Sequence, residues 1–270
     1  MKELSTREVQ QGAYQVLKKL AALCEKQGWR FFLTYGTLIG AVRHEGIIPW
    51  DDDIDIMMPR PDYEKMKKYF CKHEKEMMPL KLFDISTVKK YPHMIARISD
   101  QNFYLDFENE KDYGIGLFVD IYPLDGAGND LTDAIKLLQK TKRLASLCFL
   151  TSRKSFAVDN TDSKLKLIIK FPAYLWANLH GNKHYTNKLG KLAKTYDYET
   201  SSYIACVSWP GNYVFKKEVL DKIKMVKFED AMMPIPIEYD EFLSAIYGDY
   251  MTPPPESDRK TNHTYRAYQV

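Results

Sequence analysis

The chain has 270 residues, 45% hydrophobic and 28% charged, which is enough to bury one large core or two modest ones and shows no sign of disorder. Its 39 basic residues nearly balance 36 acidic ones, and a net charge of +3 gives no case for nucleic-acid binding. The start, Met1-Lys-Glu-Leu-Ser, lacks the apolar core of a signal peptide, no stretch is long enough to span a bilayer, and cysteines at 24, 71, 148 and 206 show neither CxxC pairing nor metal spacing. A cytoplasmic protein with reduced thiols is expected.

Ser5 and Glu8 form a capping box, and Val9, Ala13, Val16, Leu17, Leu20, Ala21 and Cys24 recur at helical spacing until Gly28 stops the run. Trp29 to Thr34 reads as a buried strand, Gly36-Thr37 as a turn, and Leu38 to Val42 as the start of a short helix. An acidic strand follows, then a helix with Pro61 at its first position, then short β-like runs at 80–85, 93–99, 103–108 and 116–122.

Beyond Asp125-Gly-Ala-Gly-Asn the pattern is helical at 131–150, 163–180 and 183–196. Short strands near 203–207 and 223–228 precede a last helix near 238–247. The segment 164–180 mixes lysines with Phe171, Tyr174, Leu175 and Trp176, and two readings stand open: a core helix kinked at Pro172, or a helix lying on a membrane surface. The order of elements predicts an α+β fold rather than regular βαβ winding. Three regions are expected: a catalytic core over 1–128, a helical region over 129–200 offering acceptor or membrane contact, and segments over 201–270 that close the site.

The chemistry concentrates in Trp50-Asp51-Asp52-Asp53-Ile54-Asp55-Ile56, four carboxylates within five positions. Most acidic runs are solvated loops. Here Ile54 and Ile56 interleave with the acids, Pro49-Trp50 precede them and Met57-Met58 follow, so the cluster reads as part of a folded strand with Asp53 and Asp55 on one face. Carboxylates this close resist ionising together unless a cation neutralises them, and hard oxygen ligands select Mg²⁺, Mn²⁺ or Ca²⁺. An EF-hand loop starting at Asp51 is excluded, because Ile56 stands where Gly is needed, Asp62 where a bidentate Glu is needed, and Pro59 and Pro61 interrupt the loop.

Gly36-Thr37 after a strand, the Asp53-Ile-Asp55 pair and a later strand acid, Asp120 in Leu117-Phe-Val-Asp-Ile-Tyr122, together resemble the nucleotidyltransferase superfamily, whose three acids bind two divalent cations. More specifically, the stretch from Tyr35-Gly-Thr-Leu-Ile-Gly-Ala-Val-Arg-His-Glu-Gly through Ile56 is similar to the hallmark of the LicD family of phosphocholine transferases. The likeness continues through Gly116 to Asp125 and resumes at Phe228 to Pro236, Tyr247 to Met251 and His263 to Tyr268, leaving 130–200 without a motif.

The resemblance implies a nucleotidyltransferase-like mixed-sheet core with helices plus a helical insertion region. It also implies Mg²⁺ or Mn²⁺ as cofactor and transfer of phosphocholine from CDP-choline to a sugar hydroxyl of a lipid-linked teichoic acid or lipopolysaccharide precursor, with CMP leaving. Work on such a precursor implies peripheral contact with the inner face of the cell membrane. By position, Asp51, Asp53, Asp55 and Asp120 are the expected metal ligands.

Arg43 and His44 are placed to hold phosphate charge, beside Gly36, Thr37 and Trp50, with Lys216, Lys217, Arg259 and His263 as weaker candidates. Choline's quaternary ammonium calls for aromatic faces, for which Tyr35, Trp50, Trp209 and Tyr247 are the candidates. Three alternatives remain open at this level: a CDP-ribitol or CDP-glycerol donor, a DxD glycosyltransferase, and a non-enzymatic metal-stabilised binding module.

Overall fold

The computed structural model describes residues 2–156, 164–209, 213–259, 261 and 265–270, with 164–169 described for their backbone alone. In chain order the elements are β1 (Lys2–Glu3), α1 (Thr6–Gln27), β2 (Phe32–Leu33), α2 (Tyr35–His44), β3 (Asp55–Pro59), α3 (Arg60–Lys72), α4 (Glu74–Met77), β4 (Leu80–Phe83), β5 (Ala96–Asp100), β6 (Phe103–Phe107) and β7 (Leu117–Gly128). Then come α5 (Leu131–Ser152), α6 (Lys164–His180), α7 (Asn182–Leu192), β8 (Tyr203–Ala205), β9 (Phe215–Lys216), α8 (Lys217–Asp221), β10 (Ile223–Phe228), β11 (Ala231–Pro236), α9 (Tyr239–Tyr247) and β12 (Tyr265–Gln269). The α+β expectation holds.

The central sheet runs β2-β3-β7-β5-β4, with β8 added to β7 and β9 to β8. Its one parallel pair among the described residues, β3 with β7, sits in the middle, and every residue of the twelve-residue β7 is buried. α1 forms where the capping box predicts it: the Ser5 hydroxyl accepts from the Glu8 amide, Glu8 reaches back to the Ser5 amide, and Gly28 closes the end in the left-handed region. Its apolar face, Val16, Leu17, Leu20 and Cys24, joins one core with β3, β7 and residues from the far end of the chain such as Phe242 and Tyr250. A smaller sheet orders β1-β12-β6. The helices α5, α6 and α7 pack together around Ala145, Cys148, Ala177, Tyr185 and Leu189.

Four sequence expectations are corrected. Gly36-Thr37 is the first turn of α2, because Thr34 is extended and its carbonyl accepts from the Leu38 amide. Asp53 lies outside the acidic strand, which starts at Asp55. The short β2 ends its pairing at Leu33 with Ile56, and the Thr34 amide donates to the Asp55 carbonyl, so the ladder along this edge stops at Asp55. Pro61 falls one position later in its helix than predicted. Over 170–180, where side chains are described, the core reading holds only for Ala177 and fails for Phe171, Leu175, Trp176 and Leu179, which are all exposed. The hairpin partner β11 and the strands β1 and β12 had no visible alternation and were missed. All four cysteines are free.

Candidate active site

The acids come from one loop and two neighbouring strands. Asp55 opens β3 opposite Asp120 of β7, and Asp120 stands opposite Arg97 of β5. Side chains at paired positions leave a sheet on the same face, so two carboxylates and a guanidinium form a row across three strands. Arg97 Nε donates to Asp120 Oδ1 at 2.6 Å and Nη2 to Oδ2 at 3.4 Å, with the residues only 5% and 3% exposed. Its Nη1 donates to the Tyr113 hydroxyl at 2.5 Å, and its guanidinium carbon lies 4.2 Å from the Phe118 ring centre.

Asp51, Asp52 and Asp53 arrive from the loop before β3, and each offers an oxygen such that the three lie within 4.8 Å of one another. Asp55 is buried beside them. Burial, followed by the charges of Asp53, Asp120 and Asp51, pushes its carboxyl well above the usual carboxylate range. The neighbouring Tyr122 hydroxyl partly opposes that rise, while Oδ1 has no hydrogen-bond partner.

Side chains hold the acid loop where the sheet does not. The buried Gln10 amide donates to the carbonyls of Ile48, Pro49 and Asp51 at 3.2, 3.3 and 2.7 Å, and the Tyr265 hydroxyl donates to the Asp52 carbonyl at 2.9 Å. The N-terminal turn of α2 abuts the same acids. The Asp55 amide donates to Thr37 Oγ1 at 2.9 Å, and a Cβ on Gly36 would come within 2.8 Å of an Asp51 carboxylate oxygen. Gly36 is therefore needed for close approach rather than for a turn, and the positive end of the helix offsets part of the local negative charge.

Trp50 joins the acids to a basic group. The Arg259 guanidinium lies 5.1 Å from the Trp50 ring centre, and the His44 ring meets Trp50 edge-on at 6.0 Å. Arg43 donates to His44 Nε2 at 3.0 Å and to the Tyr250 carbonyl at 2.7 Å. Burial and the neighbouring Arg259 charge lower the Arg43 pKa, and burial and Arg43 lower that of His44. Two guanidinium groups close enough to repel make a place suited to an anion.

Aromatic rings close the other side. Tyr35 meets Tyr122 at 4.9 Å and Tyr122 meets Trp209 at 5.3 Å between centroids, both edge-on. The Tyr247 pKa is raised by burial and then by Asp55, Asp51 and Asp53, which places its hydroxyl in the field of the acids.

Of the residues singled out from sequence, Asp51, Asp53, Asp55, Asp120, Gly36 and Thr37 converge, and Arg43, His44 and Trp50 adjoin them through Arg259. Lys216 and Lys217 do not: Lys217 donates to the Tyr198 and Glu199 carbonyls and Lys216 pairs with Glu218, at a separate cleft. His263 lies outside the described residues. Sequence reasoning missed Gln10, Asp52, Arg97, Tyr122 and Tyr265. Gln10 and Arg97 carried a usable signal, each a polar residue in an otherwise apolar helical or strand pattern.

The donor set fits a hard divalent cation, since it is all oxygen, mutually repelling when bare, and includes the orphaned Oδ1 of Asp55. Asp51, Asp52 and Asp53 could hold such an ion, with Asp55 beside them, whereas Asp120, also expected as a ligand, has both its oxygens on Arg97. Adding Mg²⁺ or Mn²⁺ is expected to raise the melting temperature and EDTA to reverse it. By mass action the gain is about 2.7 kcal/mol at a hundredfold excess over Kd. A midpoint indifferent to both in calorimetry would remove the cation from this site.

Among known proteins, a family model described as LicD/FKTN/FKRP, nucleotidyltransferase domain, matches residues 28–156. The chain is 31% identical over 276 residues, 99% of each chain, to the lipopolysaccharide cholinephosphotransferase LicD of Haemophilus influenzae. It is also 33% identical to an uncharacterized protein of Rickettsia typhi over 136 residues, 43% of each chain. A match to an uncharacterized protein of Rickettsia prowazekii reaches 47% over 49 residues, 18% of each chain.

Proposed function

The chain belongs to the LicD family, and from that premise we propose that it transfers phosphocholine from CDP-choline to a sugar hydroxyl of a lipopolysaccharide precursor, releasing CMP. The observation that carries this reading is the similarity to the Haemophilus cholinephosphotransferase along the whole length of both chains, with all the acids of the motif in place.

The reaction forms a bond between the acceptor oxygen and the choline-bearing phosphorus and breaks the bond from that phosphorus to the CMP oxygen. The protein's part is positioning and charge stabilisation. A carboxylate of the Asp53, Asp55 and Asp120 group accepts the proton of the attacking hydroxyl. Arg43 and Arg259 stabilise the negative charge that builds on the departing CMP, and Gly36 and Thr37 let the first turn of α2 sit against the reacting centre. Mg²⁺ or Mn²⁺ held by Asp51, Asp52 and Asp53, with Asp55 beside them, would neutralise the donor's diphosphate. Arg97 keeps Asp120 oriented.

Choline offers a full positive charge and no hydrogen-bond donor, so aromatic faces near carboxylates suit it. Tyr35, Trp209 and Tyr247 would supply those faces, with the buried Tyr122 packed between the first two. This arrangement favours choline over a polyol, which would need hydrogen-bonding groups in place of rings.

The test is a donor panel of CDP-choline, CDP-ribitol, CDP-glycerol and nucleotide sugars with lipopolysaccharide or teichoic acid acceptors and Mg²⁺ or Mn²⁺. CMP release with CDP-choline, and phosphocholine on lipopolysaccharide, is the expected result. Turnover with a polyol donor alone would move the substrate assignment, and UDP release would identify a glycosyltransferase.

A further inference from the structure

Charge is distributed very unevenly along this chain. Residues 131–196, which carry α5, α6 and α7, hold 13 Lys and Arg against 3 Asp and Glu, while the other 204 residues hold 26 against 33. The near-neutral whole is a strongly basic three-helix unit attached to an acidic remainder. Within that unit, Lys136, Lys140 and Arg143 of α5 face Lys188 and Lys191 of α7 across a groove of about 740 Å³ with no acidic residue among the described residues of its lining.

The same unit displays an apolar ridge. Ala177 of α6 is fully buried against α5 and α7, and this fixes which side of the helix faces inward. Phe171, Leu175 and Leu179 recur at four-residue spacing and are 45%, 48% and 82% exposed, with Trp176 beside them at 60%. Residues four apart lie on one helix face, so this is a continuous stripe. Large apolar side chains this exposed, in a row and led by Trp, mark a surface that is covered in use.

We infer that the α5–α7 unit is a docking surface for an anionic phospholipid bilayer, with the α6 ridge entering the interface and the cations of α5 and α7 drawn to lipid phosphates. The two halves of the observation fit one occupant. An apolar stripe with an interfacial Trp needs a hydrocarbon boundary, a net positive unit needs negative charge, and an anionic bilayer supplies both. The opposite charge of the remainder turns the basic unit toward such a surface during approach. The inference does not depend on which nucleotide donor the active site takes.

The experiment is sedimentation of the full-length protein with vesicles of phosphatidylcholine alone and of phosphatidylcholine mixed with phosphatidylglycerol, at low and high salt. The anionic vesicles should bind at least about tenfold more protein than the neutral ones, and salt should release it. Trp176→Ser with Leu179→Ser should lower binding about tenfold or more, and Lys188→Glu with Lys191→Glu should do the same at low salt. Both variants should melt at the parent temperature and keep CMP release on a soluble acceptor, so a failed donor assignment and a failed docking surface give different results.

Equal sedimentation of all variants, or none by the parent on anionic vesicles, overturns the proposal. Dependence on lipid charge without dependence on Trp176 and Leu179 also overturns it, leaving a polyanion site. A dimer in analytical ultracentrifugation that dissociates on Trp176→Ser would assign the ridge to a second copy instead.

Discussion

Replacing Asp53 or Asp55 with Asn is expected to lower transfer by on the order of 10²-fold or more, because either change removes charge from the oxygen cluster while keeping its size, and metal-type charge stabilisation supplies several kcal/mol. The effect should fall on kcat/KM measured at saturating Mg²⁺. Folding should survive, and for Asp55→Asn the metal-free protein should become more stable at neutral pH.

The sign follows from the raised carboxyl pKa of Asp55. The folded protein holds that proton more tightly than the unfolded chain does. Stability from this group therefore falls as pH rises from the ordinary carboxylate range to the raised folded value, and the penalty is full above it. Asn has no such penalty. The difference in melting temperature between Asp55→Asn and parent should be largest near neutral pH without metal, shrink as pH drops through this window, and shrink when Mg²⁺ is added. Near-parental turnover by either variant would show that the acids are not the reacting centre.

Arg97→Met should cost about 3–5 kcal/mol of stability, the usual result of leaving one partner of a buried ion pair alone. Asp120 is 3% exposed and already shares its face of the sheet with Asp55, so its charge has nowhere to go once the guanidinium is removed. The double variant Arg97→Met with Asp120→Asn should recover much of the loss, since removing both charges leaves no uncompensated ion. Urea unfolding of the parent, both singles and the double measures this as a cycle. If Arg97→Met alone costs under about 1 kcal/mol, the pair is not holding Asp120.

How far the sequence reads through depends on whether a feature is local. The capping box, the α1 periodicity and the long helices α5 and α6 are set by residues within a few turns of each other, and they appear close to where the pattern puts them. The acid motif is equally local, so its members were legible one by one. Their arrangement was not. Strand alternation placed Asp53 and Asp55 together on one face, whereas β3 begins only at Asp55, where the ladder with the two-residue β2 stops. Arg97 and Tyr265 reach the site through strand register and through a sheet that joins β12 to β6, pairings that no single-sequence period announces. The exposed face of α6 was undecidable from periodicity alone, since the same apolar count suits a core or a bilayer.

Gln10 and Tyr265 fasten the loop that carries Asp51 and Asp52, and they lie 41 and 213 positions away from the carbonyls they reach. Contacts of such sequence separation close long loops, and each must overcome the entropy of the loop it closes. The acidic loop therefore has its final shape only where α1 is packed on the sheet and β12 is joined to β6. Competence for chemistry and completion of the fold are therefore reached together.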